Sequence, residues 1–454
     1  MNKRTASWIF IILMSASVTA SLAQTALNTA LPAIMNDLKV DSATGQWLTS
    51  GYTLVMGIMV PATAYFMKRF STRQLFIGAF SLFTIGSLVA WLGLNFELLL
   101  VGRILEAMGT GIFLPLTQIA IMTIFPVDRQ GVMMGIYGLA ATAAPVIAPT
   151  LSGILIDAFG WRSIFAVITV LSVIVLVVGI FCLRNFGESQ LTHFDTVSFL
   201  LSAIGFSGLL VGLGNFGATD RLWVWLPIIL GIGSLLAFTY RQIKEAQPFL
   251  DLGVFRSRRF TWAVIISMLL YAAMMAGSTI YPIYVQNILH QSAVVSGLVM
   301  LPGSLLMAIL NPITGKFYDR YGIKWLLIMG SSAVLVSALG SACFNDSTSL
   351  WVISILFAIR LIGVACIMMP VVTWAMQGSS DEEKASQTAV LTSLRTISGA
   401  FGVAIFTAIL TFVTTQSGSH QIASVQGIDV AFMGMAILAL IQLLISIVAI
   451  KRGN

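Results

Sequence analysis

Charge is what this chain has least of. Only 9% of its 454 residues are Asp, Glu, Lys or Arg, while 58% are hydrophobic, and the mean hydropathy is +0.96. A soluble domain of ordinary composition carries about 25% charged residues, so a water-soluble globule is excluded. Histidine and cysteine are scarce, at three each. His193, His290 and His420 stand apart in or near loops and make neither a catalytic triad nor a metal cluster. Cys182, Cys343 and Cys366 fall within or at the ends of apolar runs, without the spacing of a metal site or disulfide framework, and read as small buried hydrophobes. The phosphate-loop pattern G-x-x-x-x-G-K-[ST] is absent, which removes sequence support for direct ATP coupling. Neither an enzyme nor a bound cofactor is expected. The short alternating segments of a membrane β-barrel are also missing.

Apolar runs of about 20 residues recur instead, each long enough to cross a bilayer as a helix. Charge-poor stretches delimit fourteen, at about 7–31, 46–67, 74–95, 98–124, 130–155, 162–183, 196–215, 222–240, 260–283, 292–315, 325–344, 349–377, 387–413 and 429–450. The first runs past the signal-peptidase-like Ser21-Leu22-Ala23 to Pro32 and reads as an uncleaved span. Of 24 Lys and Arg residues, 18 fall in one alternating set of connections, three in the other (Lys39, Arg162, Arg221) and three inside spans (Arg103, Arg360, Arg395). This bias predicts that both termini are cytoplasmic. It also accounts for the net charge of +7 without nucleic acid, because the cations are scattered over short loops. No extramembrane segment is long enough to fold as a soluble domain.

Within the spans one acid stands out. Of 17 Asp and Glu residues, 16 fit in loops; Glu106 lies inside the run 98–125, three residues after Arg103. Charge in a bilayer is costly enough to mark a working site, and positions i and i+3 share a helix face. Burial favours a neutral carboxyl and the neighbouring Arg favours an ionised one. Glu106 therefore reads either as a proton carrier or as a permanently ionised structural partner. Gln24 and Asn28, four apart on span 1, either line a cavity or bridge helices. Arg395, two turns inside span 13, has the length to snorkel to the surface.

The chain also repeats itself. Span 4 reads Gly102-Arg103-Ile104-Leu105-Glu106, with Pro115 further on; span 12 reads Ile359-Arg360-Leu361-Ile362-Gly363, with Pro370 further on. Arg360 thus reads as the counterpart of Arg103. The segments 65–73 and 315–324, after spans 2 and 10, match weakly. Related halves around a central site are a hallmark of secondary transporters.

These features resemble the major facilitator superfamily, specifically its fourteen-span drug:proton antiporters. Gly315, Asp319, Arg320 and Gly322 are similar to its loop motif G-x-x-x-D-R-x-G, in which glycines allow tight turns and charges tie cytoplasmic helix ends together. The first-half copy is degenerate, with Lys68 at the Asp position. Ala144-Pro145-Val146-Ile147-Ala148-Pro149 followed by Gly153 is similar to the antiporter motif G-P-x-x-G-P-x-x-x-G; such a span should bend and pack closely through its small residues. Trp161-Arg162-Ser163-Ile164-Phe165 and Phe70-Ser71-Thr72-Arg73 look closest to lincosamide-type exporters. One departure is informative. Where the branch usually carries an acid in span 1, this chain has Ala23-Gln24, and where span 4 usually carries Gln it has Glu106.

The resemblance implies an all-α polytopic membrane protein of fourteen transmembrane helices. A six-helix bundle (1–183) and a second one (260–454) would flank an inserted helix pair with its linkers (184–259). Implied too is secondary active export of lipophilic drugs or antibiotics across the cytoplasmic membrane by proton antiport, with protons, a lipophilic small molecule and the bilayer as partners and a monomer as the working unit. Two other readings stay open: a transporter with different coupling, such as a uniporter of a small metabolite, and a non-transporting membrane sensor or scaffold.

Overall fold

The structure is a computed structural model, and it describes all residues except 1–2, 41, 184, 186–194, 215–221, 246–251, 417–423 and 453–454. Backbone groups in hydrocarbon have no water to bond, so an apolar run satisfies them within its own helix. Accordingly the described residues form helices and no strands: α1 (Lys3–Leu38), α2 (Ser42–Arg69), α3 (Thr72–Leu92), α4 (Phe96–Ile124), α5 (Val127–Phe159), α6 (Arg162–Cys182), α7 (Thr196–Gly214), α8 (Leu222–Lys244), α9 (Arg258–Ile283), α10 (Ala293–Tyr321), α11 (Lys324–Ser341), α12 (Leu350–Met376), α13 (Asp381–Gln416) and α14 (Val425–Arg452). Eleven contain a stretch long and apolar enough to cross a membrane; α2 and α7 contain shorter ones, Trp47–Val60 and Thr196–Leu209.

Short polar side chains set several helix starts. Asn95 accepts from the Leu98 amide, Ser257 from Phe260 and Ser292 from Val295, while Ser71 and Gln74 cap each other reciprocally at α3. Each replaces water for an amide that has no partner within its helix. Several helices outrun their apolar cores. α10 continues to Tyr321 and α14 begins at Val425, because polar residues outside the hydrocarbon do not interrupt backbone bonding. One consequence corrects the placement of acids in loops: Asp319 and Asp429 are helical.

The packing pattern repeats when every helix number is raised by eight. α1 packs on α4, α5 and α6, as α9 packs on α12, α13 and α14. α3 packs on α4 and α6, as α11 does on α12 and α14; α2 packs on α4, as α10 does on α12. The same shift exchanges the two main junctions between these groups, α5–α10 and α2–α13. α7 and α8 pack on each other, and α7 reaches α2 and α13.

Small contacts fix the register of the repeat. The Thr63 hydroxyl donates to the Gly111 carbonyl at 3.0 Å, and the Thr314 hydroxyl donates to the Ala365 carbonyl at 3.0 Å. A Cβ on Gly109 would strike the backbone of Ala79 and Phe83; one on Gly363 would strike that of Gly330 and Val334. Both pairs of contacts set α4 against α12 with the same offset, and that offset places Arg360 opposite Glu106, not opposite Arg103. The sequence repeat was aligned on its two arginines. The backbone aligns instead on the helix contacts that the glycines and threonines make.

Gly153 corrects a second expectation. A Cβ there meets nothing within 4 Å, so no close packing runs through it. Gly109→Ala should therefore destabilise the purified protein by about 1–3 kcal/mol, whereas Gly153→Ala should be neutral within about 0.5 kcal/mol. Thermal unfolding in detergent measures both, and equal melting temperatures would contradict the packing described.

Candidate functional site

Arg103 and Glu106 sit one turn apart on α4, 1% and 0% exposed. Arg103 Nη1 donates to Glu106 Oε2 at 2.5 Å. The same guanidinium reaches the other elements: Nε lies 3.4 Å from the Leu48 carbonyl of α2, and Nη1 lies 3.5 Å from the Ala23 carbonyl of α1. Its central carbon is 4.1 Å from the centroid of the Tyr52 ring, a stacking geometry that suits a desolvated cation. The Thr110 hydroxyl donates to the Glu106 carbonyl at 2.8 Å, so at 2.8 Å it accepts from the Tyr52 hydroxyl. One arginine thus links three helices.

The acid is held more loosely than its cation. Only Oε2 is hydrogen bonded; Oε1 is buried without a hydrogen bond. The nearby Ser87 hydroxyl is engaged with Thr169 at 3.0 Å, in the α3–α6 contact. Among the described residues Glu106 is the one fully buried carboxylate. It is not the one acid within an apolar stretch. Asp429 lies inside Val425–Ile450 with Oδ1 buried and unpartnered, because α14 starts a turn earlier than the apolar run suggests.

The remaining predicted residues separate into groups. Arg360 is 1% exposed on α12. It donates to the Ala273 carbonyl of α9, lies 3.6 Å from Met435 Sδ of α14 and keeps Nη1 unpartnered. Gln24 is half-buried on α1, beside Ala23. The side chains of Asn28, Pro145 and Pro149 lie outside the described residues, although α5 is helical across both prolines. Arg395 does not snorkel: it is 8% exposed, because α13 packs on α2, α4 and α9 over its inner turns.

The loop motif forms a tie between the two groups of helices. Asp319 accepts from the amides of Gly131 and Val132 on α5, both at 2.8 Å. Gly315 is no turn residue; a Cβ there would collide with Gly131, so it brings α10 against α5. Gly322 does end a helix, at φ +73, where an L side chain is strained. Arg320 is exposed and lies over Tyr321, 5.2 Å from the ring centroid. Sequence reading missed a second tie. Lys384 of α13 donates at 3.1 Å to the Met122 carbonyl at the end of α4, which also accepts from Gln130 Nε2 at 2.9 Å; a cation is favoured at that end of a helix.

At the other end of α1, Asp37 accepts from Trp161 Nε1 at 3.0 Å and from Arg162 at 2.8 Å. The Trp161 bond, then the Arg162 bond, hold its carboxyl below the ordinary value of 3.8. A carboxyl depressed in the folded state adds stability above its unfolded value and loses it as pH falls through the folded one.

Helices arranged as two related groups of six around paired junctions, with buried charge inside, define a secondary transporter rather than an enzyme. The sequence profile of the Major Facilitator Superfamily matches residues 13–403, and the chain belongs to that family. It is 35% identical over 420 residues to the lincomycin resistance protein LmrB of Bacillus subtilis (strain 168), covering 92% of this chain and 87% of that protein. It is 27% identical over 459 residues to the riboflavin transporter RibZ of Clostridioides difficile (strain 630), covering 98% of each. The structure of the proton:xylose symporter XylE superposes with a TM-score of 0.68 at 13% identity, covering 100% of this chain and 97% of XylE, which reflects the shared fold.

Two outcomes follow from the ion pairs. Arg103→Met should cost about 3–5 kcal/mol by stranding Glu106, and the double change Arg103→Met with Glu106→Leu should recover most of it; thermal unfolding of both variants is the check. Asp37→Asn should lower the melting temperature at pH 6 and above, with the gap to wild type closing only below pH 3.8.

Proposed function

We propose that this transporter exports lipophilic drugs or antibiotics across the cytoplasmic membrane in exchange for protons. The observation that carries the reading is the half-satisfied Glu106: a fully buried carboxylate with one oxygen on Arg103 and the other unbonded. Likeness to a lincomycin resistance protein supports the substrate class. Fourteen spans with both termini in the cytoplasm fit the loop charges, and a monomer suffices because the repeat supplies both halves. The first bundle would be 1–183 and the second 260–454, with 184–259 carrying the inserted pair. The Asp319 and Lys384 ties then lie on the cytoplasmic side, so the arrangement described is closed toward the cell interior.

In the proposed cycle a proton entering from outside neutralises Glu106 and releases Arg103. The freed guanidinium turns to the Leu48 and Ala23 carbonyls, which it already faces at long range, and draws α1 and α2 against α4. That shift favours substrate release outward and return to the inward-open state, where loss of the proton restores the pair and cargo loads. The arrangement described, paired and closed toward the interior, is the outward state that awaits a proton. Arg103 is thus a switch between an acid and two backbone acceptors. The two bundles rock about the α5–α10 and α2–α13 junctions.

Likeness to a riboflavin transporter favours a second reading, facilitated movement of a metabolite without proton exchange. One experiment separates them. In everted vesicles energised by a pH gradient, wild type should drive a fluorescent lipophilic dye uphill, and Glu106→Gln should bring uphill transport to background while the protein stays folded. Unchanged gradient-driven transport by Glu106→Gln would refute the assignment.

A further inference from the structure

The buried charge of this protein does not balance. Three guanidiniums, Arg103, Arg360 and Arg395, are buried among the described residues, against the one carboxylate of Glu106. Arg103 takes that carboxylate. Arg360 spends donors on Ala273 and Met435 within α9, α12 and α14. Arg395 has neither among the described residues: its Nε and Nη1 are buried without a hydrogen-bond partner, and none of the ion pairs there involves it. The face of Tyr271 lies 5.1 Å from its guanidinium carbon.

Position makes this more than an unpaid desolvation cost. α13 packs on α9 of its own group and on α2 and α4 of the other. Tyr137 of α5, 4% exposed, lies within electrostatic range of both Arg395 and Tyr271, and Gln118 of α4 adjoins Tyr137 with Oε1 buried and unpartnered. Four polar side chains from α4, α5, α9 and α13 therefore converge where the two groups of helices meet. A buried cation with free donors is stable only if something supplies acceptors. A guanidinium fork matches a planar two-oxygen acceptor. The Tyr271 ring beside it suits a flat apolar body.

We propose that Arg395, with Tyr271, Tyr137 and Gln118, forms the substrate subsite for the acidic group of an aromatic anion, so that the cargo of this protein is a lipophilic molecule bearing a carboxylate or comparable planar anion. This rests on the reading of the chain as an exporter and narrows its substrate class. The Arg103–Glu106 pair cancels itself, so the buried field that cargo meets is the positive one of Arg395 and Arg360.

The test uses three dyes on one flat scaffold: fluorescein as the anion, its neutral O-methyl methyl ester, and rhodamine 6G as the cation. Binding to full-length protein in detergent is read by anisotropy without any gradient, so it does not depend on coupling. Wild type should bind fluorescein most tightly. Arg395→Gln should weaken fluorescein on the order of tenfold and leave the ester within twofold; Arg395→Lys, which keeps the charge, should retain fluorescein preference even if Arg395→Gln fails to fold. Tighter wild-type binding of rhodamine 6G, equal loss for all three dyes in Arg395→Gln, or no preference among them in wild type overturns the proposal. Efflux of bound fluorescein from everted vesicles is scored separately. Binding preference without efflux would count against the exporter reading and not against the subsite.

Discussion

A guanidinium taken out of water must be answered, and the way this chain answers three of them organises the rest of its structure. Each carries five donors and a full charge into a medium that offers no solvation. Arg103 is answered by an acid, two carbonyls and a ring, drawn from α1, α2 and α4. Arg360 is answered by backbone and sulfur. Arg395 has the Tyr271 ring, but among the described residues no hydrogen-bond acceptor for its Nε or Nη1. The three cases grade from locked to open, and the proposed function uses that gradient: the first lets go of an acid that takes up a proton, the second holds the second group of helices together, and the third waits for cargo.

Glycine and threonine contacts make such charges tolerable by holding helices close enough for carbonyls to reach them. Gly86 and Gly102 let α3 and α4 touch backbone to backbone beside Arg103, and Gly330 and Gly363 do the same for α11 and α12. These contacts are also the most faithful record of the internal repeat. They show the second half carrying Arg360 where the first carries Glu106, so the two halves are related in fold and opposite in charge at matching positions. An exchange of charge between equivalent sites gives the halves different responses to the same proton or anion, which a transporter that rocks between two states requires.

Much of the fold was legible in the sequence. Apolar runs separated by cations gave the helices to within a few residues, because nothing but a helix satisfies a backbone in hydrocarbon. Ends were less legible: Asp429 and Asp319 sit inside helices because polar flanks can stay helical beyond the bilayer. The Arg103–Glu106 pair was legible because spacing of three puts both on one face. Arg395 was not. Its length is compatible with snorkelling, and only the packing of α13 on three neighbours shows that it stays inside. The partner of Arg360 was misread for a similar reason, since matching residue types is a weaker guide to register than matching contacts.

The central claim is that Glu106 exchanges a proton as cargo binds. Proton release on adding dye to purified protein, followed with a pH indicator in weakly buffered detergent across a series of starting pH values, measures this without membranes or gradients. The account predicts release of about one proton per bound molecule by wild type within a window of that series, and none at any pH by Glu106→Gln that still binds dye. Equal release by the two proteins, or no release by wild type at any pH, would contradict it.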